Sequence, residues 1–115
     1  MELDATRLSE LRVFSEAELR EISVASIHAV AELLDEVDAG LAGGELLVVA
    51  ESAHRAHNEA LLVGARELSA AFGALEHAAR DGRQEAARDA LGQARAVWPR
   101  TRSAIAALGD QDATD

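Results

Sequence analysis

Apolar residues recur at intervals of three and four along most of this chain, a spacing that places them on one face of an α-helix. The pattern is interrupted at Gly43-Gly44, at Gly64 and at Asp81-Gly82. Glycine ends a helix readily because it adopts the left-handed backbone conformation at little cost. The pattern therefore predicts four long amphipathic helices separated by short turns.

Polar residues with side-chain acceptors predict where the first two helices begin. Asp4 is a candidate N-cap for a short helix over residues 5–13. Ser15 and Glu18 form a Ser-x-x-Glu capping box, and the helix that follows it is predicted to run to about residue 41. The predicted core face of this second helix carries Leu19, Ile22, Ser26, Val30, Leu33 and Val37, with Val24, Ile27, Ala31 and Leu34 beside it.

The third predicted helix follows Gly43-Gly44, ends near Leu62 and carries a histidine on its outward side. His54 falls outside the core stripe, so its imidazole is predicted to face solvent from the middle of the helix. The stripe, read at about 100° per residue, consists of Leu46, Val49, Ala53, Ala56 and Ala60. The predicted outward neighbours of His54 are Leu47, Ala50, Glu51, Asn58 and Leu61, with His57 at the boundary.

Two further helices complete the prediction. The fourth places Leu68, Phe72, Leu75 and Ala79 at core spacing and ends at Asp81-Gly82. The last is predicted over residues 83–108, where Pro99 removes one backbone hydrogen bond and predicts a kink. Residues 109–115 are predicted to form a polar, frayed tail. The inward positions of the last helix are Ala87, Leu91, Ala94, Trp98, Ile105 and Leu108.

Long amphipathic helices joined by short loops predict an all-α fold, an antiparallel up-down four-helix bundle with a short additional helix at its N-terminus. Composition agrees with close-packed helices, since 49% of the 115 residues are hydrophobic but only 3% are aromatic. The length suits a single domain over residues 1–115.

Charge and residue usage narrow the classes of function. The formal net charge is −10, and residues 1–51 carry twelve acids against three arginines. Such an acidic chain argues against nucleic acid and membranes as partners, because binding a polyanion depends on basic residues. The chain has no cysteine, which excludes disulfides and thiolate metal sites. Since no transmembrane segment or secretory signal is evident, a cytoplasmic location is expected.

The sequence lacks the motifs of several enzyme classes. It contains no glycine-rich phosphate loop, no His-Glu-x-x-His and no Gly-x-Ser-x-Gly. No autonomous kinase, zinc-protease or hydrolase activity is therefore expected. Glu51, His54 and His57 have the spacing of metal ligands, but three ligands on one exposed helix form a weak site, so no metal is expected.

The stretch around His54 resembles the histidine-containing phosphotransfer (HPt) domain of bacterial phosphorelays. That family carries His-x-Leu-Lys-Gly-Ser/Ala on a bundle helix, followed at a fixed interval by Leu-Gly at the opening of the next helix. Here the corresponding run is His54-Arg55-Ala56-His57-Asn58-Glu59, with Val63-Gly64-Ala65 at that interval. The likeness extends over the opening helix at residues 3–11, the turn at 39–44, and the helix and turn at 68–82.

The resemblance implies a function and its residues. His54 would accept a phosphoryl group from the aspartate of a receiver domain and pass it to another receiver. The expected partners are therefore a response-regulator receiver or a hybrid sensor histidine kinase. The chain would act as a monomer without a cofactor of its own, the metal ion being supplied by the receiver. The implied surroundings of the phosphoryl group are Arg55, His57 and Asn58, and the implied docking residues are Leu47, Ala50, Glu51 and Leu61.

The residues at positions 57 to 59 depart from the family pattern. His57 replaces the lysine, and Asn58 replaces a glycine that leaves room for the partner. Glu59 adds negative charge near a group that becomes dianionic or nearly so. The altered lysine and glycine positions favour an alternative, a degenerate HPt domain that signals by binding alone, whereas the retention of His54 favours phosphotransfer. Both interpretations stay open at the level of the sequence.

Overall fold

Five helices form the part of the chain that the structure describes. The computed structural model describes residues 2–110, and every regular element in that range is helical. The predicted all-α class is therefore confirmed. The helices are α1 (Ala5–Leu11), α2 (Glu16–Ala42), α3 (Leu46–Leu62), α4 (Arg66–Arg80) and α5 (Gln84–Gly109).

Side-chain caps begin the first two helices where the sequence predicts them. The Asp4 carboxylate accepts a hydrogen bond from the Thr6 amide at 2.8 Å, which satisfies one of the free N–H groups at the start of α1. At the start of α2 the Ser15 hydroxyl accepts from the Glu18 amide at 3.2 Å, and the Glu18 carboxylate accepts from the Ser15 amide at 3.0 Å. The predicted capping box is thus confirmed.

The three turns between α2 and α5 have the same backbone structure. Each contains three residues, and its central glycine has a positive φ: 70° at Gly44, 73° at Gly64 and 71° at Gly82. The amide that follows each glycine bonds back to a carbonyl five residues earlier, at distances of 2.8 to 2.9 Å. This is a Schellman cap, which satisfies the last carbonyls of the helix and requires a left-handed residue.

The four long helices pack side by side around one core. The main contacts join α2 to α3 and α5, and α4 to the same two helices. On α3 the predicted core stripe is largely confirmed, because its valine and three alanines are fully buried while Leu46 is partly buried. Small alanine side chains let neighbouring helices approach closely. The largest fully buried side chains are Phe72, Leu68, Leu75, Ile105 and the valines at positions 30, 37, 49, 63 and 97.

Several sequence predictions about α1, α2 and α5 need correction. α1 ends at Leu11, and Val13 lies outside it with 82% of its surface exposed. Val24, predicted beside the core face of α2, is 64% exposed. Trp98, predicted inward, is only partly buried. Gly109, predicted to open a frayed tail, is the buried last residue of α5; the rest of that predicted tail, from residue 111, lies outside the described residues.

Pro99 lies inside α5, as the sequence predicts. The kink that was expected there stays a prediction.

The short helix α1 is fastened to the turn between α3 and α4. The Asp4 amide donates to the Gly64 carbonyl at 2.6 Å, and Arg7 Nε donates to the Leu62 carbonyl at 2.5 Å. Leu3 and Leu11 are buried beneath it. α1 therefore holds the C-terminal end of α3 in place. None of the helices in residues 2–110 is long and apolar enough to cross a membrane.

Candidate functional site

His54 projects from the middle of α3 with 53% of its side chain exposed. The fully buried Ala53 and Ala56 lie on the inward side of the same helix, and their burial fixes the rotation of α3 about its axis. The predicted exposure of His54 is thus confirmed.

A carboxylate on α4 contacts the imidazole. Glu76 Oε1 lies 3.0 Å from His54 Nδ1, and Arg80 Nε donates to the other oxygen, Oε2, at 2.9 Å. Only 18% of the Glu76 side chain is exposed. This partial burial raises the pKa of the Glu76 carboxyl, but hydrogen bonds from Arg80 and His54, together with their charges, outweigh it and leave that pKa below its ordinary value. Glu76 is therefore ionised at neutral pH.

An ionised carboxylate fixes which nitrogen of His54 carries the proton. A carboxylate only accepts hydrogen bonds, so in the neutral imidazole Nδ1 donates to Glu76 and Nε2 keeps its lone pair. Nε2 in turn lies 3.4 Å from the Asn58 amide nitrogen, one turn along α3. This distance is at the long end for a hydrogen bond, so the contact is weak. Nε2 thus keeps its lone pair on a half-exposed ring, with the Asn58 amide beside it.

His57 belongs to the contact between α3 and α4. Its Nδ1 lies 2.8 Å from the Ser69 carbonyl oxygen and 3.1 Å from the Ser69 hydroxyl. A Cβ atom added to Gly73 would lie 3.6 Å from the same nitrogen, so the ring lies against the backbone of α4. Because a carbonyl only accepts, Nδ1 of His57 carries a proton. The imidazole at the position of the family's lysine is therefore directed to α4.

Arg55 is directed to the other neighbouring helix, α2. Its guanidinium donates to Glu36 Oε1 at 2.8 Å, and the buried Ser52 hydroxyl donates to the same oxygen at 3.4 Å. Arg55 and His54 nevertheless line one shallow depression of about 540 Å³, which Arg80 also lines. The sequence-predicted Arg55 thus borders the same surface as His54 without sharing its hydrogen bonds.

The exposed apolar residues of α3 lie on both sides of His54. Leu47 and Leu61, seven residues before and after it, are 69% and 50% exposed. Val48 and Leu62 are also exposed, at 41% and 54%. Seven residues make about two turns of helix, so Leu47 and Leu61 share the face of His54. The predicted exposure of Leu47, Glu51 and Leu61 is confirmed.

Ala50 is a correction to the predicted docking residues. It was placed on the outward surface, but it is fully buried. The reason is that α3 packs against both α2 and α4, so its buried arc is wider than one stripe. Ala50 therefore offers no surface to a partner.

Glu76 and Arg80 are the residues of this site that the sequence reasoning missed. A weak signal for them exists, because Glu76 and Arg80 have the i, i+4 spacing of a helical ion pair, and Glu76 follows the core residue Leu75. The pairing with His54 spans 22 positions of sequence and depends on how two helices face each other.

No group of three His, Asp or Glu side chains within residues 2–110 is arranged to hold a metal ion. Comparisons of this chain with protein-family models, with curated proteins and with solved structures found no match. A function must therefore be inferred from the residues and contacts around His54.

Proposed function

We propose that this chain is a phosphotransfer module that accepts a phosphoryl group on His54 Nε2 from the aspartate of a receiver domain and passes it to another receiver. The observation that carries the proposal is the contact of His54 Nδ1 with the Glu76 carboxylate at 3.0 Å, which leaves the lone pair on Nε2 of a half-exposed ring. The HPt resemblance of the sequence around His54 supports the same function.

Phosphoryl transfer to His54 needs no general base. The Nε2 lone pair attacks the phosphorus of the aspartyl phosphate, an N–P bond forms, and the P–O bond to the aspartate breaks, releasing its carboxylate. Nδ1 keeps its proton, so the imidazole becomes cationic, and the Glu76 carboxylate stabilises that charge. The reverse step returns the group to a receiver aspartate. Positioning supplies most of the catalysis, and the receiver provides the metal ion.

The apolar face of α3 supports docking of a receiver around the histidine. Leu47 and Leu61 flank His54 at about 10 Å on either side along the helix axis, and both are at least half exposed. Burying one leucine in an interface contributes at most about 1–3 kcal/mol. A receiver that covers this face would place its aspartate over Nε2. Such docking needs only one copy of this chain, so we propose a monomer, in the cytoplasm where receivers act.

We also propose that α2 to α5 run antiparallel in up-down order. Three-residue turns with Schellman caps reverse the chain tightly, and each long helix contacts two neighbours in a ring. This order gives α3 and α4 the facing surfaces on which His54 and Glu76 meet.

The direct test is transfer from purified receiver domains loaded with phosphate. The wild type should gain phosphate that is labile in acid and stable in base, as expected for phosphohistidine. His54→Gln should gain none, while His28→Gln should behave as the wild type, because His28 lies on α2 and contacts Glu32. Phosphate on His54→Gln would show that the acceptor is another residue.

A second candidate function is a degenerate HPt domain that binds a receiver without accepting phosphate. The contact between the Asn58 amide and His54 Nε2, at 3.4 Å, favours it because the amide occupies space that the aspartyl phosphate needs. In that case the wild type and His54→Gln would bind receivers equally well in calorimetry, and neither would gain phosphate.

A further inference from the structure

Arg80 contacts the same carboxylate that contacts His54. Its Nε donates to Glu76 Oε2 at 2.9 Å, while Oε1 of the same carboxylate lies 3.0 Å from His54 Nδ1. The three side chains form a continuous series of contacts that begins on α4 and ends at the exposed imidazole on α3. Each carboxylate oxygen has one of the two partners.

We propose that Arg80 is a positioning residue that orients the Glu76 carboxylate and thereby fixes the tautomer of His54. The inference rests on the proposed function, because it gives Arg80 a part in presenting Nε2 to a phosphoryl donor.

The geometry explains how one residue can act through another. A glutamate side chain has three rotatable bonds, so a carboxylate without a second partner can turn away from the imidazole. Arg80 follows Glu76 by one turn, in the order that favours a helical ion pair. Its rigid guanidinium engages Oε2 and so leaves Oε1 directed toward α3. Nδ1 of His54 then has a fixed acceptor.

Burial makes the charge of Arg80 matter as well. Only 18% of the Glu76 side chain is exposed, so water hydrates its carboxylate poorly. The hydrogen bond and the charge of Arg80 help to offset the rise in the Glu76 pKa that partial burial causes, and so favour the ionised carboxylate, which only accepts hydrogen bonds. Without Arg80 the carboxylate would lose the partner that orients it, and His54 Nδ1 would lose a fixed acceptor. The proton of the neutral imidazole would then move toward Nε2, where it blocks the nucleophilic lone pair.

The tautomer of His54 can be measured by nitrogen-15 NMR of the imidazole, with His54→Gln used to assign the signals. In the neutral ring of the wild type we expect Nδ1 to carry the proton. Arg80→Gln should shift the population toward the Nε2–H form, and Arg80→Lys should restore part of the wild-type population because it keeps the charge. If Arg80→Gln folds poorly, Arg80→Met serves in its place.

A matched control is Arg66→Gln, which removes the same charge from the same helix. Arg66 contacts Asp4 at 3.0 Å, near the opposite end of α4, so its loss should leave the His54 signals unchanged. Phosphoramidate, a small phosphoryl donor that needs no docking surface, provides the second readout. Arg80→Gln should accept phosphate about tenfold more slowly, and Arg66→Gln at the wild-type rate.

The outcomes separate this inference from the proposed function. A wild-type tautomer in Arg80→Gln would overturn the role of Arg80, whatever the rate of phosphate acceptance. A shifted tautomer in Arg80→Gln, with unchanged signals in Arg66→Gln, would support it. If the wild type accepts no phosphate from phosphoramidate or from any receiver, the proposed function fails, and the tautomer measurement alone decides the role of Arg80.

Discussion

Asn58 lies beside Nε2 of His54. Its amide nitrogen is 3.4 Å from Nε2, whereas the HPt family has a glycine at this position. An amide that donates to Nε2 competes for the lone pair that attacks phosphorus in the proposed reaction. The side chain also narrows the approach, because residues four apart share a helix face.

Replacing Asn58 should therefore speed phosphate acceptance. A weak hydrogen bond worth about 0.5–1 kcal/mol corresponds to a gain of about two- to fivefold in Asn58→Ala. Asn58→Gly also opens space for the receiver and should gain more, at a cost of about 1 kcal/mol in helix stability. Initial rates of transfer from one phosphorylated receiver check this order. Equal rates in the wild type and both variants would mean that Asn58 does not obstruct the site.

His57 is part of the contact between α3 and α4. The resemblance suggests a lysine here, close to the phosphoryl group. Instead the His57 ring donates to the Ser69 carbonyl and lies against Gly73, so it joins α3 to α4. A lysine would lose these contacts. The cations that line the depression beside His54 are Arg55 and Arg80.

At the scale of elements, α3 has two separate surfaces. Its inward arc, widened by Ala50, holds the core, while Leu47 and Leu61 remain outside it. Substitutions on the outward surface should change binding without changing stability, because they remove no buried contact.

Leu47→Asp should weaken receiver binding by about 1–2 kcal/mol, or about five- to thirtyfold in Kd. Its free energy of unfolding should stay within about 0.5 kcal/mol of the wild type. Val24→Asp is a matched control, since Val24 is 64% exposed on α2 against 69% for Leu47 on α3. Calorimetric titration and urea unfolding of both variants check the prediction. Equal loss of binding in the two variants would show that α3 is not the docking surface.

The turn between α3 and α4 differs from the other turns in having α1 against it. A Cβ added to Gly64 would lie 2.8 Å from Arg7 Cβ and 3.1 Å from the Asp4 amide nitrogen, whereas one added to Gly44 would have no atom within 4 Å. Both glycines have a φ near 70°. An alanine at either position would therefore adopt an unfavourable left-handed conformation, but only an alanine at position 64 would also clash with α1.

Gly44→Ala should cost about 1–2 kcal/mol of unfolding free energy, the penalty for a left-handed alanine. Gly64→Ala should cost about 1–3 kcal/mol more, because α1 must move away. Urea unfolding measures both losses. Hydrogen exchange at the Asp4 amide, which donates to Gly64, should quicken only in Gly64→Ala. Equal losses would mean that α1 adjusts without cost.

For the whole molecule, the ends of helices were predictable from the sequence, whereas the contacts between helices were not. Caps such as Ser15 and turn glycines act within a few residues, so the sequence placed the ends of α2 and α5 within one residue of where they lie. Ala50 was misplaced because an alanine carries little hydrophobic signal and fits either face. The Glu76–His54 contact was missed because it depends on the relative rotation of α3 and α4, which no local pattern determines.

Glu76 should also make the stability of the whole chain depend on pH. Its pKa in the folded protein is lowered from 4.5, so its contribution to stability is complete above that pH and is lost as the pH falls through the folded pKa. Glu76→Gln removes the charge and keeps the size. We expect the variant to be less stable than the wild type by about 1 kcal/mol near neutral pH, and the difference to shrink as the pH falls below 4.5.

Measurements at two salt concentrations distinguish the local contacts of Glu76 from the general repulsion between the acidic residues of the molecule. The formal charge is −10, so removing any acid also relieves general repulsion. The Debye length falls from about 10 Å at 0.1 M salt to about 3 Å at 1 M, which suppresses repulsion between distant charges but screens the partly buried Glu76 contacts less. Urea unfolding at pH 7 and pH 3, each at both salt concentrations, measures the four differences. Equal destabilisation by Glu76→Gln at both pH values in 1 M salt would show that the negative charge of Glu76 does not contribute to stability through its contacts with Arg80 and His54.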